Sequence, residues 1–353
     1  MSDRASGLSR PAAVARPLVV YTDPPWLLAP PVGGAATDLD LEREIYGEAA
    51  RLRVGPSKNG RYLFEGPEFL SSLEGANAIV IYRCRVTESL LRASGSGLKV
   101  IARQGVGIDN LNLPLLQRSG IRSFNLPDYC VDEVASHTIG LALALERRII
   151  PQHLALSAGR FDVYHGGVPR RLQSRTAGIV GFGRIGRAVS HRLKLFYGEV
   201  LAFDPYVSGD LMAGYGIASV AFDELLQRSD AVFLHCPLTE ETTALVNERS
   251  LARMKPGAIL VNCARGGIVD SQALYRALRE GRLGGAALDV FAPENPHQDG
   301  FYPRILAMEN VVATSHRAFL STESEASVRR RVAEAVRDVL LAGTGRATVG
   351  WLS

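Results

Sequence analysis

Nine residues constrain this chain more than any others: Gly178-Ile179-Val180-Gly181-Phe182-Gly183-Arg184-Ile185-Gly186. A short apolar run enters a glycine-rich turn, and a basic, amphipathic stretch from Arg184 to Tyr197 follows. Gly181, Gly183 and Gly186 fit G-x-G-x-x-G. In a dinucleotide-binding turn the first glycine makes the bend, the second lets a pyrophosphate approach the backbone, and the third lets helix pack on strand. The helix start then offers free N–H groups to the phosphates. Glycine is common here, with 35 residues, so the pattern needs its context. That context is a strand before, a helix after and an acid about 20 residues on. Glu199 to Phe203 reads as the second strand, and Asp204 ends it.

At 353 residues the chain is long enough for two domains, each with its own core. Hydrophobic content of 46% and charged content of 22% are those of a globular protein. Forty basic residues are spread along the chain and the formal charge is only +4, which gives no electrostatic case for nucleic acid or a membrane surface. Cys84, Cys130, Cys236 and Cys263 are far apart and lack metal-ligand spacing, so no metal is expected and a reducing, cytoplasmic setting is. No apolar run reaches the roughly 18 residues of a membrane span. Residues 1–16 are rich in Arg, Ser, Ala and Pro. They resemble a transit peptide superficially, lack the apolar region of a secretory signal, and are read as a disordered tail.

The first half alternates strand and helix patterns. Strands are expected at 17–21, 52–54, 78–82, 99–103 and 121–125. Helices are expected at 39–50 (capped near Thr37-Asp38), 67–73, from Thr87, and 113–119. Such alternation implies a parallel sheet. Pro127-Asp128 breaks the pattern. Helices at 131–148 and 151–159 follow, more than a minimal nucleotide-binding unit needs, and are read as linker and subunit-interface material. Strands near 177–180, 200–203, 231–236, 258–262, 286–290 and 311–314 then build the nucleotide-binding unit. Its helices are placed at 184–197, 223–228, 248–254, 271–280 and 304–307, with a last helix at 324–341.

Three residues of that unit stand at strand ends, where open α/β sheets bind ligands. Arg265 follows strand 258–262, and its guanidinium suits a carboxylate clamp. An arbitrary arginine is a solvated loop residue, but Gly266-Gly267 beside this one permit close backbone approach. His316 follows strand 311–314 and is the side-chain type that exchanges a proton near neutral pH. Glu294 follows Ala287-Leu288-Asp289-Val290-Phe291, and a carboxylate beside an imidazole favours and orients the imidazolium. Each alone has a plain structural alternative. Together they supply the anion clamp, proton donor and tuner that reduction of a 2-keto acid requires.

At this point the sequence resembles the D-isomer-specific 2-hydroxyacid dehydrogenase family, and within it the branch that includes the C-terminal-binding-protein corepressors. The resemblance runs from about Gly105 to Leu341. It is carried by Arg-Gln-Gly-Val-Gly-Ile-Asp-Asn (103–110), Asn-Leu-Pro-Asp-Tyr-Cys-Val-Asp-Glu-Val-Ala (125–135) and Val-Gly-Phe-Gly-Arg-Ile-Gly (180–186). Asp-Pro-Tyr (204–206), His-Cys-Pro-Leu-Thr (235–239), Asn-Cys-Ala-Arg-Gly-Gly-Ile-Val-Asp (262–270), Ala-Leu-Asp-Val-Phe (287–291) and Ser-His-Arg-Ala-Phe (315–319) complete it.

The resemblance implies an α/β protein of two Rossmann-like domains. A discontinuous, flavodoxin-like substrate domain (17–127 and 317–345) would be interrupted by an NAD-binding domain (128–316), with the site in the crevice between them. It implies that Arg265 binds substrate carboxylate and carbonyl, and that His316, supported by Glu294, protonates the ketone oxygen as hydride arrives. Val106 and Gly107 would offer backbone N–H groups to the carboxylate. Arg184 and Ile185 would lie at the pyrophosphate, and Asp204 at the adenosine ribose. Pro237 and Thr242 would line the adenine side, while the Cys263 backbone and Asp289 would hold the nicotinamide carboxamide. A carboxylate at Asp204 welcomes a 2′-hydroxyl and repels a 2′-phosphate, which favours NAD over NADP. A homodimer is the family expectation.

Ser315 and Asn295 stand where the family usually has Pro, and Phe319 where the corepressor branch has Trp. Arg317 follows the histidine where small or apolar residues are usual, which suggests a substrate with a second anionic group. Arg83 and Arg85 are further candidates, and solvated loop charges are an equal alternative for both. The expectation is an NAD-dependent dehydrogenase of a small 2-keto/2-hydroxy acid giving the D isomer. The alternative is an NAD(H)-sensing, corepressor-like binding protein with little turnover.

Overall fold

The computed structural model describes residues 16–28, 38–343 and 349–352. Residues 1–15 of the tail expected at 1–16, Thr37 in the expected helix cap, and residues 344 and 345 lie outside the described residues. The chain divides into two compact units, one of Met1–Tyr129 with Glu325–Ser353 and one of Cys130–Ser324.

The first unit is built on a six-stranded sheet. Its order is Gly350–Trp351, Arg122–Asn125, Val100–Arg103, Ala76–Ile81, Leu18–Tyr21, Arg51–Val54. The last five strands are parallel, in the flavodoxin-like order 2-1-3-4-5. Successive side chains point to opposite faces of a strand, so each strand feeds two cores. Val19, Tyr21, Ala78, Val80, Val100 and Ala102 pack against Val328, Val332 and Val336 of the helix Thr322–Ala342. Leu18, Val20, Ile79, Ile81 and Ile101 pack the other way, against Phe69, Leu73, Leu90 and Leu116. A sheet covered on both faces needs near-continuous apolar strands, which Ala-Asn-Ala-Ile-Val-Ile at 76–81 supplies. The last helix is also pinned by charge. Arg329 Nε and Nη2 donate to Glu42 Oε1 and Oε2 at 2.8 and 2.7 Å, both side chains are buried, and the guanidinium lies 4.5 Å from the Trp26 ring centroid.

The second unit carries a seven-stranded, wholly parallel sheet in the order Ala218–Ser219, Glu199–Phe203, Thr176–Val180, Ala231–Leu234, Ala258–Asn262, Leu283–Leu288, Val311–Ala313. This is the doubly wound 3-2-1-4-5-6 arrangement with one strand added. The order reverses between Thr176–Val180 and Ala231–Leu234, the point where such sheets open a ligand crevice. The glycine turn leaves the first of these strands. The helix Val131–Glu146 packs on this unit and is anchored at its end, where buried Glu146 pairs with Arg175 and accepts from Tyr197 Oη at 3.1 Å.

Several elements differ from the sequence reading. The helix after the glycine turn stops at Leu193, not Tyr197. The strand expected at 286–290 is Leu283–Leu288. Gly284 and Gly285 disfavour a strand on sequence, but a Cβ there would meet Gly257 O and Asn310 O, each at 2.5 Å, so close chain approach requires them. Features not foreseen include the hairpin Ser57–Lys58/Arg61–Tyr62, the helix Gly209–Gly214, the edge strand Ala218–Ser219 and the antiparallel strand Gly350–Trp351. Two-residue strands have no periodicity to read. Gly350–Trp351 is held by tertiary contacts: Trp351 meets Phe124 edge-on at 5.1 Å, with Arg122 4.1 Å above its ring.

Among the described residues no helix is long and apolar enough to cross a membrane, and no group of three His, Cys, Asp or Glu side chains can hold a metal.

Candidate active site

The glycine turn gives each glycine a separate reason. Gly181 has φ +95°, and a Cβ there would sit 2.5 Å from Cys236 N on the neighbouring strand's loop. A Cβ on Gly186 would sit 2.1 Å from Gly181 O, so helix and strand touch only because it is glycine. A Cβ on Gly183 would meet nothing within 4 Å. The fold itself does not require that glycine; it leaves open space in front of the backbone, as an approaching pyrophosphate needs. Gly183 and Arg184 are exposed and Ile185 half-buried. The helix Arg184–Leu193 has no side-chain cap and no acid in its first turn, so its leading N–H groups face that space uncompensated. The residues present therefore fit a dinucleotide.

Asp204 is tied to the turn it was paired with on sequence. Its Oδ2 accepts from Phe182 N at 2.7 Å and its Oδ1 from Tyr206 N at 2.9 Å. Thr242 shapes the opposite loop, donating to Pro237 O at 2.6 Å and accepting from Thr239 N at 2.8 Å. Cys263 is buried, and burial pushes its thiol up to about 12.

His235, at the start of that loop, was not singled out on sequence. Its Nε2 is shielded from solvent without a hydrogen-bond partner among the described residues, and burial pushes the imidazole down to about 4. An unfolded histidine takes its proton near pH 6.5, so between these values the unfolded state binds more protons. The contribution to stability is complete above pH 6.5 and falls away as pH drops toward 4, by roughly 3 kcal/mol. Denaturant unfolding at pH 7 and pH 4.5 should show that His235→Gln weakens the pH dependence. An unchanged dependence would refute the attribution.

The sheet sets side by side the three strands that lead to Arg265, Glu294 and His316. Strands Ala258–Asn262, Leu283–Leu288 and Val311–Ala313 are parallel neighbours, so their carboxyl ends lie side by side. Backbone pairing continues past them: Asp289 N donates to Asn262 O at 2.9 Å, Thr314 N to Leu288 O at 2.9 Å and His316 N to Asp289 O at 2.7 Å. Buried Asn262 clamps the Arg265 turn, accepting from Ala264 N and donating to Arg265 O, both at 3.0 Å. Arg265 is half-buried, with Nη1 2.8 Å from Ala264 O. Gly266 admits no side chain, because a Cβ would lie 2.0 Å from Phe291 C.

His316 Nδ1 and Glu294 Oε1 are 2.6 Å apart. His316 has φ +53°, a left-handed conformation that costs a non-glycine residue about 1 kcal/mol or more and persists only where the surroundings impose it. Asp289 imposes it. Its buried carboxylate accepts from Thr314 Oγ1 at 2.5 Å, Arg317 N at 2.9 Å and Ala318 N at 3.0 Å. Burial alone would raise the Asp289 pKa; the neighbouring His137 ring and hydrogen bonds from Thr314 and the 317–318 backbone prevail and bring it to about 2. The Phe319 ring stands edge-on to His316 at 6.4 Å.

Val106 and Gly107 belong to the other unit. There Val106 O accepts from Asn125 Nδ2 at 2.6 Å, and Gly105 O from Leu126 N at 3.1 Å. Sequence reasoning missed Asn262, His137 and Thr314, whose roles rest on partners far along the chain. For Asn262 a local signal existed, since an Asn ending a buried strand before a tight turn reads as a turn clamp.

A doubly wound unit with a glycine turn and an acid at the end of its second strand defines a dinucleotide-binding fold. Residues 139–318 match the family model of the D-isomer specific 2-hydroxyacid dehydrogenase, NAD binding domain. The chain belongs to the D-isomer-specific 2-hydroxyacid dehydrogenase family, and NAD is its cofactor. It is 36% identical over 276 residues to a D-3-phosphoglycerate dehydrogenase of Methanocaldococcus jannaschii, covering 77% of this chain and 51% of that protein. It thus spans about half the length of the D-3-phosphoglycerate dehydrogenases it matches. It is 35% identical to a hydroxypyruvate reductase of Thermotoga maritima, covering 77% of this chain and 87% of that protein. Among solved structures, D-lactate dehydrogenase from Aquifex aeolicus, complexed with NAD and lactic acid, superposes with a TM-score of 0.80 at 28% identity, covering 93% of this chain and 98% of that one.

Proposed function

We propose that this chain is an NAD-dependent dehydrogenase that interconverts a 2-keto acid and the D-2-hydroxy acid. The observation that carries the reading is the His316–Glu294 pair, 2.6 Å apart on a histidine held in the left-handed conformation, at the same carboxyl edge of the sheet as the strand that leads to Arg265. NADH, held at the glycine turn by Gly181, Gly183 and Gly186, would supply a hydride for the carbonyl carbon. Glu294 accepts a hydrogen bond from Nδ1–H, so the imidazolium keeps that proton, gives the one on Nε2 to the ketone oxygen and becomes the neutral imidazole. Arg265 binds the carboxylate and polarises the carbonyl. In the reverse direction neutral His316 takes the hydroxyl proton. We assign Val106 and Gly107 N–H groups to the carboxylate, Arg184 and Ile185 to the pyrophosphate, Asp204 to the ribose, Pro237 and Thr242 to the adenine side, and Cys263 and Asp289 to the carboxamide. The first unit is the substrate domain in this reading.

We further propose a substrate with a second anionic group. Arg317 supports this: its side chain is exposed and has no hydrogen bond or ion pair among the described residues, while its backbone is fixed by Asp289. The test is a panel of 2-keto acids with NADH, including members with a terminal carboxylate, phosphate or phosphonate. Arg317→Ala should lower kcat/KM for the dianionic members by about tenfold, the size of one exposed charge-assisted contact. Unchanged kcat/KM for every accepted keto acid overturns the second-anion assignment. Cofactor binding without turnover of any member favours the NAD(H)-sensing alternative.

A homodimer is the partner reading that the surface supports. Leu154, Leu156, Phe161, Val163, Tyr164 and Val168 are exposed on or just after the helix Ile149–Ser157. The segment has a defined shape, since Gln152 Nε2 donates to Asp162 O and His165 O at 3.1 and 2.7 Å. Sedimentation equilibrium should give twice the chain mass, and Phe161→Ser should shift the population toward monomer. A monomer at micromolar concentration would refute it.

A further inference from the structure

We propose that His137 is a positioning residue of the proton-transfer site: from the helix Val131–Glu146 it donates a hydrogen bond to Thr314, which with Asp289 fixes the backbone of His316. The inference rests on the reading of His316 as the proton donor.

The geometry sets the direction of each hydrogen bond. His137 Nε2 lies 2.9 Å from Thr314 Oγ1 and 3.6 Å from Asp289 Oδ1. Thr314 Oγ1 lies 2.5 Å from Asp289 Oδ1. An ionised carboxylate only accepts, so the single Thr314 hydroxyl proton points to Asp289. The Thr314 oxygen is then an acceptor toward His137, and Nε2 must carry a proton. The relay runs one way, from His137 to Thr314 to Asp289.

Asp289 passes this constraint to the loop through three consecutive N–H groups. His316 N donates to its carbonyl, and Arg317 N and Ala318 N donate to its two carboxylate oxygens. Those bonds hold the left-handed turn that aims the imidazole at Glu294. Without His137, Thr314 Oγ1 loses the donor that fixes it from the helix side and is held by Asp289 alone, and the His137 ring is gone from beside the carboxylate. His137 is partly buried, with 24% of its side chain exposed, so an aliphatic residue could fill its space. Only a donor can set the direction of the relay, and that separates positioning from packing.

The experiment compares His137→Leu, which removes the donor, with His137→Gln, whose amide N–H reaches about as far as Nε2–H. Readouts are kcat, KM, the Kd for NADH by fluorescence quenching, melting temperature, and the His316 ring resonance in histidine-labelled protein, assigned with His316→Asn. His137→Leu should lower kcat by about ten- to a hundredfold, as a small misplacement of a reacting group does. It should move the His316 resonance and leave Kd for NADH within about twofold. His137→Gln should recover most of kcat and the native resonance. Thr314→Val should copy His137→Leu, and the double variant should be no worse than either single one, as members of one network behave. An unchanged kcat in His137→Leu, with His316→Asn inactive, overturns the inference and leaves the catalytic reading standing. Loss of activity only in step with NADH affinity and melting temperature, unrescued by Gln, reduces His137 to packing and also overturns it. An active His316→Asn removes the catalytic reading itself.

Discussion

Replacing His316 with Asn should lower kcat for keto-acid reduction by about 10²- to 10⁴-fold, the usual contribution of a placed general acid. Asn is the informative choice because residue 316 has φ +53°. Asparagine tolerates that conformation, whereas alanine would add backbone strain and blur the result. The loop should therefore keep its bonds to Asp289, and NADH binding should stay intact. Only the group that pairs with Glu294 and delivers the proton is lost. Steady-state kinetics with NADH and an accepted keto acid, beside a fluorescence titration of NADH, make the measurement. Full activity in His316→Asn would end the assignment of this residue as the acid.

Arg265→Ala should cost on the order of 3 kcal/mol of transition-state stabilisation, which is a loss of more than a hundredfold in kcat/KM. The turn that carries Arg265 is clamped independently of its side chain: Asn262 binds the backbone at 264 and 265, and Gly266 packs on Phe291. Truncation therefore removes the guanidinium and leaves the loop. Arg265→Lys keeps the charge but not the two parallel donors, and should fall between the native chain and the alanine variant. Intact kcat/KM in Arg265→Ala would show that the substrate's carboxylate is bound elsewhere.

Long, buried strands were legible because their demand is local. Ala-Ile-Val-Ile at 78–81 and Ile-Leu-Val-Asn at 259–262 have little choice once both faces are covered. The glycine turn was legible for a related reason: Gly181 and Gly186 answer to atoms within a few residues or on the next strand, and no other residue type fits. What escaped were elements whose stability is borrowed. Gly350–Trp351 is a strand because Asn125 and Phe124 present an open edge, and Leu283–Leu288 begins at glycines that only close packing explains.

The candidate site divides in the same way. Arg265, Glu294 and His316 were nameable because each closes a strand in a unit whose sheet order follows from its pattern. Their residue types alone define the chemistry on offer. The sequence by itself determined the family and the cofactor turn with Asp204, and it named the groups proposed to clamp an acid and move a proton. The tertiary structure decided how that set is held. Asp289 gathers the 316–318 backbone, and His137, 179 positions before His316 in the chain, meets Thr314 across a helix–sheet contact. Apolar periodicity records which face a residue buries. It carries no record of which partner a hydrogen bond will find, because direction and distance exist only once the chain has folded.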